Sequence, residues 1–421
     1  MVGQRIRYYR KTKGLTQEEL AQGICSVSYL SKIEKGDAKS SEEVINLLCE
    51  KLGISSEEVD SNEILEMLNE WNMMMVNRRF DEAEELFEKI QDKMKHVNEP
   101  DLILRFELFL ARYYLVGEVQ NINSAEKLIG KVEKLKEQLS PELKFYFNVV
   151  SGMLNIFSRN YHLSIQFFKQ AEDIYNTKNT NINESNLAVL YYLTALTYGY
   201  LMRINAVNSY AFKAIGIFDK EYNYSRSADC QILLAISYRR VQNYDQAEYH
   251  LNQALKYSRS FHDDFTSGVI YHNLGYVFSC KRESVKAIDF YKKALHYKKD
   301  SIDVERITTT TYLLAQEYFN IKDYEQAQYW INKSFETLGE DSKNDVYYHL
   351  KVLDFRVKGT QSNEFESFIS KEAIPHFEKR NMWEYVSIDS ELLADWYFDQ
   401  SQYKKASHYY RIANNARKNI F

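Results

Sequence analysis

Leu274-Gly275-Tyr276-Val277-Phe278, followed by Ala287, Tyr291 and Ala294, has a close counterpart on either side of it in the chain. The unit before reads Leu234-Ala235-x-x-Tyr238 with Ala247, Leu251 and Ala254, and the unit after reads Leu314-Ala315-x-x-Tyr318 with Ala327, Ile331 and Ser334. Apolar residues three and four apart trace one face of a helix, and the small residues mark where a second helix must come close. The register extends through Ala83, Ala125, Ser164, Val207, Ala247, Ala287, Ala327 and Ala406, at spacings of 42, 39, 43, 40, 40, 40 and 79, the last covering two units. Such a period predicts stacked helical hairpins, each burying its neighbour's apolar face.

Composition agrees, since 421 residues with only three prolines and fourteen glycines hold few helix breakers. The fold class is therefore all-α. The repeat is the tetratricopeptide pattern, and it predicts about nine hairpins wound into a right-handed superhelix over residues 61–421. A period near 40 against the usual value of about 34 requires longer helices or longer turns. Most of the 34 tyrosines fall at positions expected to pack between helices. The unit around Val346 to Phe377 is degenerate: Gly359-Thr360-Gln361-Ser362-Asn363 stands where a short turn belongs, and Pro375 interrupts the period.

Residues 1–60 form a separate predicted domain. Gly14-Leu15-Thr16-Gln17-Glu18-Glu19-Leu20-Ala21 and Ser28-Tyr29-Leu30-Ser31-Lys32-Ile33-Glu34-Lys35-Gly36 together give a DNA-binding helix-turn-helix. Thr16 is placed to cap the second helix, with Glu19 completing a capping box. Ala21, Ile24, Leu30 and Ile33 supply the packing between helices. Ser26, Ser28, Tyr29 and Lys32 are then left to face the major groove, and Gln17 to touch the phosphate backbone. Arg5, Arg10 and Lys13 are expected to add cations along the phosphates, so that binding weakens with salt. Residues 1–40 hold eight Lys and Arg against four Asp and Glu in a chain of net charge −5, so the basic region is local to this end. Between Ala21 and Gly36 the chain is one residue shorter than the Cro and phage-repressor pattern it resembles, which leaves the start of the recognition helix open by one residue.

No phosphate loop, nucleophile elbow, zinc-protease helix or dinucleotide fingerprint is present, so no catalytic residue and no cofactor is assigned. Cys25, Cys49, Cys230 and Cys280 are too far apart in sequence for a metal-binding pair and read as reduced thiols. No apolar run is long enough for a membrane span and the N-terminus lacks a secretion signal, so the expected location is the cytoplasm. Registering the repeats instead points to a binding face. Arg239, His272, Asn273, Tyr276, Tyr312, Gln316 and Asn320 share the groove side of their helices, where amides can grip an extended peptide's main chain and Arg239 can hold a carboxylate.

A helix-turn-helix with Leu15-Thr16-Gln17, Gly23-Ile24-Cys25 and Ser31-x-Ile33-Glu34-x-Gly36, joined to about nine repeats, resembles the peptide-pheromone receptors grouped as Rap, Rgg, NprR, PlcR and PrgX. The single DNA-binding head with this many hairpins is the NprR arrangement. The resemblance implies a homo-oligomeric transcription regulator of quorum sensing or sporulation that binds two-fold-related half-sites in double-stranded DNA and takes up a short signalling peptide. It also implies that Asn273 is the peptide-gripping asparagine. A second implication, from the Rap side, is capture of a phosphorelay response regulator, with or without phosphatase activity.

Overall fold

The computed structural model describes residues 2–37, 41–53, 61–95, 97–117, 120–177, 181–260, 263–297, 304–339, 342–359 and 363–420. Among these the regular elements are helices throughout. The chain divides into two compact units, Met1–Ser237 and Tyr238–Phe421.

The first unit begins with α1 (Val2–Thr12), α2 (Gln17–Ala21), α3 (Val27–Lys35) and α4 (Glu42–Leu52). Thr16 caps α2 as its sequence predicts: its hydroxyl accepts from the Glu19 amide, and the Glu19 carboxylate accepts from the Thr16 amide in return. Ser26 caps α3, which fixes the recognition helix to start at Val27. Ile6, Leu20, Ala21, Leu30, Ile33, Leu48, Cys49 and Leu52 form one buried cluster, with Ile24 and Tyr29 partly buried against it. Lys51 reaches from α4 to the Glu19 and Gln22 carbonyls, both at 2.8 Å, and so satisfies the open C-terminal end of α2.

Paired helices follow: α5 (Ser61–Val76) with α6 (Phe80–Met94), α7 (Pro100–Val116) with α8 (Ile122–Glu133), α9 (Pro141–Phe157) with α10 (Tyr161–Asn176), α11 (Glu184–Tyr200) with α12 (Ile204–Lys220), and then α13 (Tyr224–Arg240). α11, α12 and α13 each have 17 residues and three-residue connections, so longer helices, not longer turns, account for the long period. α5 lies across the first helices of the later pairs. Asn72 bonds Asn186 of α11 at 3.1 Å and Arg112 of α7 at 2.7 Å, while Arg226 of α13 donates to the Val76 and Met75 carbonyls at 2.6 and 3.2 Å. Trp71 on the same helix is fully buried and stacks on Phe87 at 5.3 Å and Phe106 at 6.0 Å.

The second unit continues with α14 (Tyr244–Ser260), α15 (Asp264–Cys280), α16 (Ser284–Tyr297), α17 (Val304–Asn320), α18 (Tyr324–Leu338) and α19 (Asp345–Lys358). It ends with α20 (Asn363–Phe368), α21 (Ile374–Lys379), α22 (Trp383–Asp399) and α23 (Tyr403–Lys418). Gly275 is small for a physical reason: a Cβ there would stand 2.6 Å from the ring of the fully buried Tyr291. The degenerate unit is still a hairpin. Gly359 ends α19 in the left-handed region (φ 64°), residues 360–362 lie outside the described residues, and α20 and α21 are joined by a π-helical turn, Ile369–Ala373. The wider turn accommodates Pro375, which has no amide hydrogen and would clash with the carbonyl four residues back in an α-helix.

Among the described residues, nine other than glycine take positive φ, between 56° and 64°: Arg78, Arg159, Met202, Tyr222, Gln242, Arg282, Lys322, Asn381 and Ser401. Each is the middle residue of a three-residue connection between helices. At Gln242 the turn closes with the Gln242 amide on the Arg239 carbonyl (2.9 Å) and the Asn243 amide on the Tyr238 carbonyl (3.0 Å).

Candidate functional site

The head presents fewer DNA-facing groups than its sequence suggests. Arg10 is 8% exposed: Nε donates to Glu34 Oε1 at 2.6 Å, Nη2 to Glu34 Oε2 at 3.0 Å, and Nη1 to the Leu15 carbonyl at 2.8 Å. Gln17 joins the same network, donating to Glu34 Oε2 at 2.7 Å. Arg5 is 6% exposed and lies against the Cys49 sulfur at 3.8 Å. The structure therefore buries Arg5 and Arg10 in the head and leaves Gln17 half-buried, and Arg10 and Gln17 supply the charge and hydrogen bonds that a buried Glu34 requires. Tyr29 is half-buried against the core. Lys13, Ser26, Ser28 and Lys32 are exposed, and Ser26 and Ser28 lie 3.2 Å apart through their hydroxyls at the start of α3. A short helix with small hydroxyls at its N-terminal end and a lysine farther along has the shape and donors to enter a major groove.

In the second unit the repeat register puts its polar residues on the first helices of successive pairs. The Arg239 guanidinium carbon stands 3.9 Å from the centre of the Tyr276 ring, and Arg239 Nε is buried without a hydrogen-bond acceptor. His272 Nδ1 is 2.9 Å from the Thr310 hydroxyl, tying α15 to α17. Tyr312 stacks on His349 of α19, ring centres 5.3 Å apart. Asn320 is exposed and donates to Glu317 Oε1 at 3.4 Å, an oxygen that also accepts from Ser279 at 2.6 Å. Gln316 is half-buried on the same helix. Asn273 is half-buried, and its side-chain nitrogen donates to the Val269 carbonyl one turn earlier at 2.9 Å, which uses one of the amide's two donor hydrogens.

Other members of this face escaped sequence reasoning. Glu317, Cys280, His349, Arg356, Glu384, Tyr385 and Asp389 surround the expected residues, and of these His349 and Arg356 lie within the degenerate unit and Glu384, Tyr385 and Asp389 beyond it. Burial pushes the Tyr276 phenol and the Cys280 thiol up, with Arg239 opposing both. Burial lowers His349 to about 4, so its ring is neutral at physiological pH. Glu317 is 3% exposed, with Oε2 lacking a partner, and the Tyr291 hydroxyl nearby is likewise unsatisfied. Buried polar atoms without partners are rare in native proteins, and this face collects several.

Among the described residues no group of three or more His, Cys, Asp or Glu side chains could hold a metal ion, and no helix is long and apolar enough to cross a membrane.

The helix-turn-helix family matches residues 6–59 and the tetratricopeptide-repeat family residues 227–300. The transcriptional activator NprA of Geobacillus stearothermophilus is 33% identical over 408 residues, covering 95% of this chain and 99% of that protein. Response regulator aspartate phosphatase I of Bacillus subtilis (strain 168) is 22% identical, covering 85% and 91%. The apo form of the quorum sensor NprR from B. thuringiensis has the same fold, with a TM-score of 0.74 at 22% identity over 85% of this chain and 99% of that one. NprR in complex with its cognate peptide NprX gives a TM-score of 0.60, also at 22% identity, over 84% and 99%. With a helix-turn-helix ahead of tetratricopeptide repeats and 33% identity to the transcriptional activator NprA along nearly its whole length, the chain belongs to the NprA family of helix-turn-helix, tetratricopeptide-repeat proteins.

Proposed function

We propose that this chain is a sequence-specific transcription regulator whose DNA affinity is set by a short signalling peptide held on the face built from the end of α13 and from α15, α17, α19 and α22. One observation carries the reading: a complete helix-turn-helix with an exposed polar recognition helix shares a chain with a repeat face whose buried polar atoms lack partners. A peptide supplies both donors and acceptors along its main chain, which is what Asn273, Gln316 and Glu317 call for. The naming of NprA as an activator and the complex of NprR with NprX support the two halves of the assignment.

The head reads DNA through Ser26, Ser28 and Lys32, with Lys13 on the phosphates, and a two-fold site is served by two copies. Peptide acts by preferring one arrangement of the repeats, and its effect on DNA is limited to that difference in affinity. The test is selection of bound fragments from host genomic DNA at fixed salt, with and without a pool of short peptides. Enrichment of paired half-sites that changes with peptide is the expected result, and absence of any enriched sequence in both conditions refutes it. Lys32→Ala should weaken DNA binding without altering peptide uptake. A second reading, capture of a response regulator, is favoured by the similarity to response regulator aspartate phosphatase I. It is tested by incubating the chain with a phosphorylated response regulator and measuring complex formation and phosphate release.

A further inference from the structure

Asp389 on α22 is a buried carboxylate of the second unit. It is 5% exposed, and its Oδ2 has no hydrogen-bond partner. Burial pushes its carboxyl up to about 7, with Arg356 the one nearby charge pulling it back. Arg356 is held elsewhere: its guanidinium carbon stands 4.5 Å from the centre of the Phe319 ring, and no Arg356–Asp389 ion pair forms among the described residues. A carboxylate in this position costs several kcal/mol to ionise unless something positive arrives.

The surroundings suit such an arrival. Tyr385 lies one turn before Asp389 on the same face of α22, and its ring centre is 4.2 Å from that of His349. Tyr312 also stacks on His349 and lies close enough to Asp389 for the carboxylate's charge to help raise its phenol. Two tyrosines, both in contact with a neutral imidazole, thus stand near a buried carboxylate whose Oδ2 has no partner. Aromatic faces and a carboxylate are the two surfaces that bind a cation while displacing its water.

We propose that Asp389, with Tyr312 and Tyr385 beside it, is a subsite for a cationic side chain, lysine or arginine, of the peptide bound on this face. The assignment rests on the peptide-binding reading given above and adds a chemical requirement to it. On the same face, Arg239 with its unsatisfied Nε takes a carboxylate or acidic side chain. The ligand then lies with its acidic group toward α13 and its basic group toward α22, and a peptide of reversed charge order is rejected at both ends.

The test uses the full-length chain and a pool of fluorescent heptapeptides in which each position in turn is fixed as arginine, lysine, citrulline or norleucine. At one position the wild-type chain should retain arginine or lysine at least tenfold over citrulline, which keeps the shape and removes the charge. Asp389→Asn, which replaces the carboxyl by a neutral group of equal size, should reduce that preference to within twofold. Arg356→Gln, which leaves Asp389 in place and removes the nearest competing cation, should sharpen it and serves as the reading if Asp389→Asn does not fold. A wild-type preference below twofold, a preference retained by Asp389→Asn, or one unmoved by Arg356→Gln overturns the subsite alone. A wild-type chain that retains no peptide from the pool overturns the peptide-binding reading and this one with it.

Discussion

The head and the inner face of the second unit both bury charge, but they settle it differently. In the head, Glu34 is 2% exposed and takes hydrogen bonds from Arg10 twice and from Gln17 once, so the network is closed within itself. In the second unit, Asp389 and Glu317 are as deeply buried, and each leaves a carboxylate oxygen without a partner. A closed network has no use for a ligand and serves the fold, whereas an open one leaves a cost that a ligand can remove. The same contrast appears within the first unit, where the polar face of the first helices is covered by the chain's own α5. Arg226 and Asn186 are answered there by Met75, Val76 and Asn72.

Breaking the closed network should have the largest effect. Arg10→Ala leaves Glu34 buried with one weak partner and should destabilise the head by about 3–5 kcal/mol. Chemical denaturation should show this as a separate early transition, with loss of DNA binding. Relieving the open network should do the opposite, in a way that depends on pH. Because burial raises Asp389 from 3.8 to about 7, folding takes up a proton there, and the stability this contributes is whole below about pH 4 and lost as pH rises through 7. In the absence of peptide, Asp389→Asn should therefore gain on the wild type by roughly 2–4 kcal/mol between pH 5 and pH 8, seen in urea midpoints, with Arg356, the Tyr312 and Tyr385 phenols and neutral His349 common to both. A flat difference across that range would show that Asp389 is compensated after all.

Packing and turn changes give smaller effects that test the scaffold shared by both regions. Gly275→Ala forces the Tyr291 ring to move and should cost about 1–3 kcal/mol of second-unit stability. Gln242→Gly removes a side chain from the left-handed region and should stabilise by up to about 1 kcal/mol in thermal melting. No stabilisation there would mean that the lost stiffness of the unfolded chain offsets the relief.

The helices and their pairing were legible because the cause is local: spacing of apolar residues, and small residues such as Gly275 where helices meet. The cap at Thr16 was legible for the same reason. Arg10 was misjudged because its partner Glu34 lies 24 residues away, and no local rule shows that an arginine in a basic cluster faces inward. Asp389 was not found at all. The register was lost at Gly359 and Pro375, where the π-helical turn keeps the hairpin but hides the period, so α22 could not be aligned with α15 and α17. Partnerless atoms are a property of assembled side chains, and sequence carries no trace of them.

The nine left-handed turns have a further consequence. One backbone shape joins the helices at all nine positions, yet the residues that adopt it are arginine, methionine, tyrosine, glutamine, lysine, asparagine and serine, and Met202 and Tyr222 are 59% and 77% exposed. Each residue accepts a penalty of about 1 kcal/mol for a conformation that glycine would take freely. The geometry of a connection is thus independent of the side chain it displays. Sequence drift can rewrite the chemistry of these corners one residue at a time, toward new partners or away from old ones, while the spacing of the helices behind them stays the same.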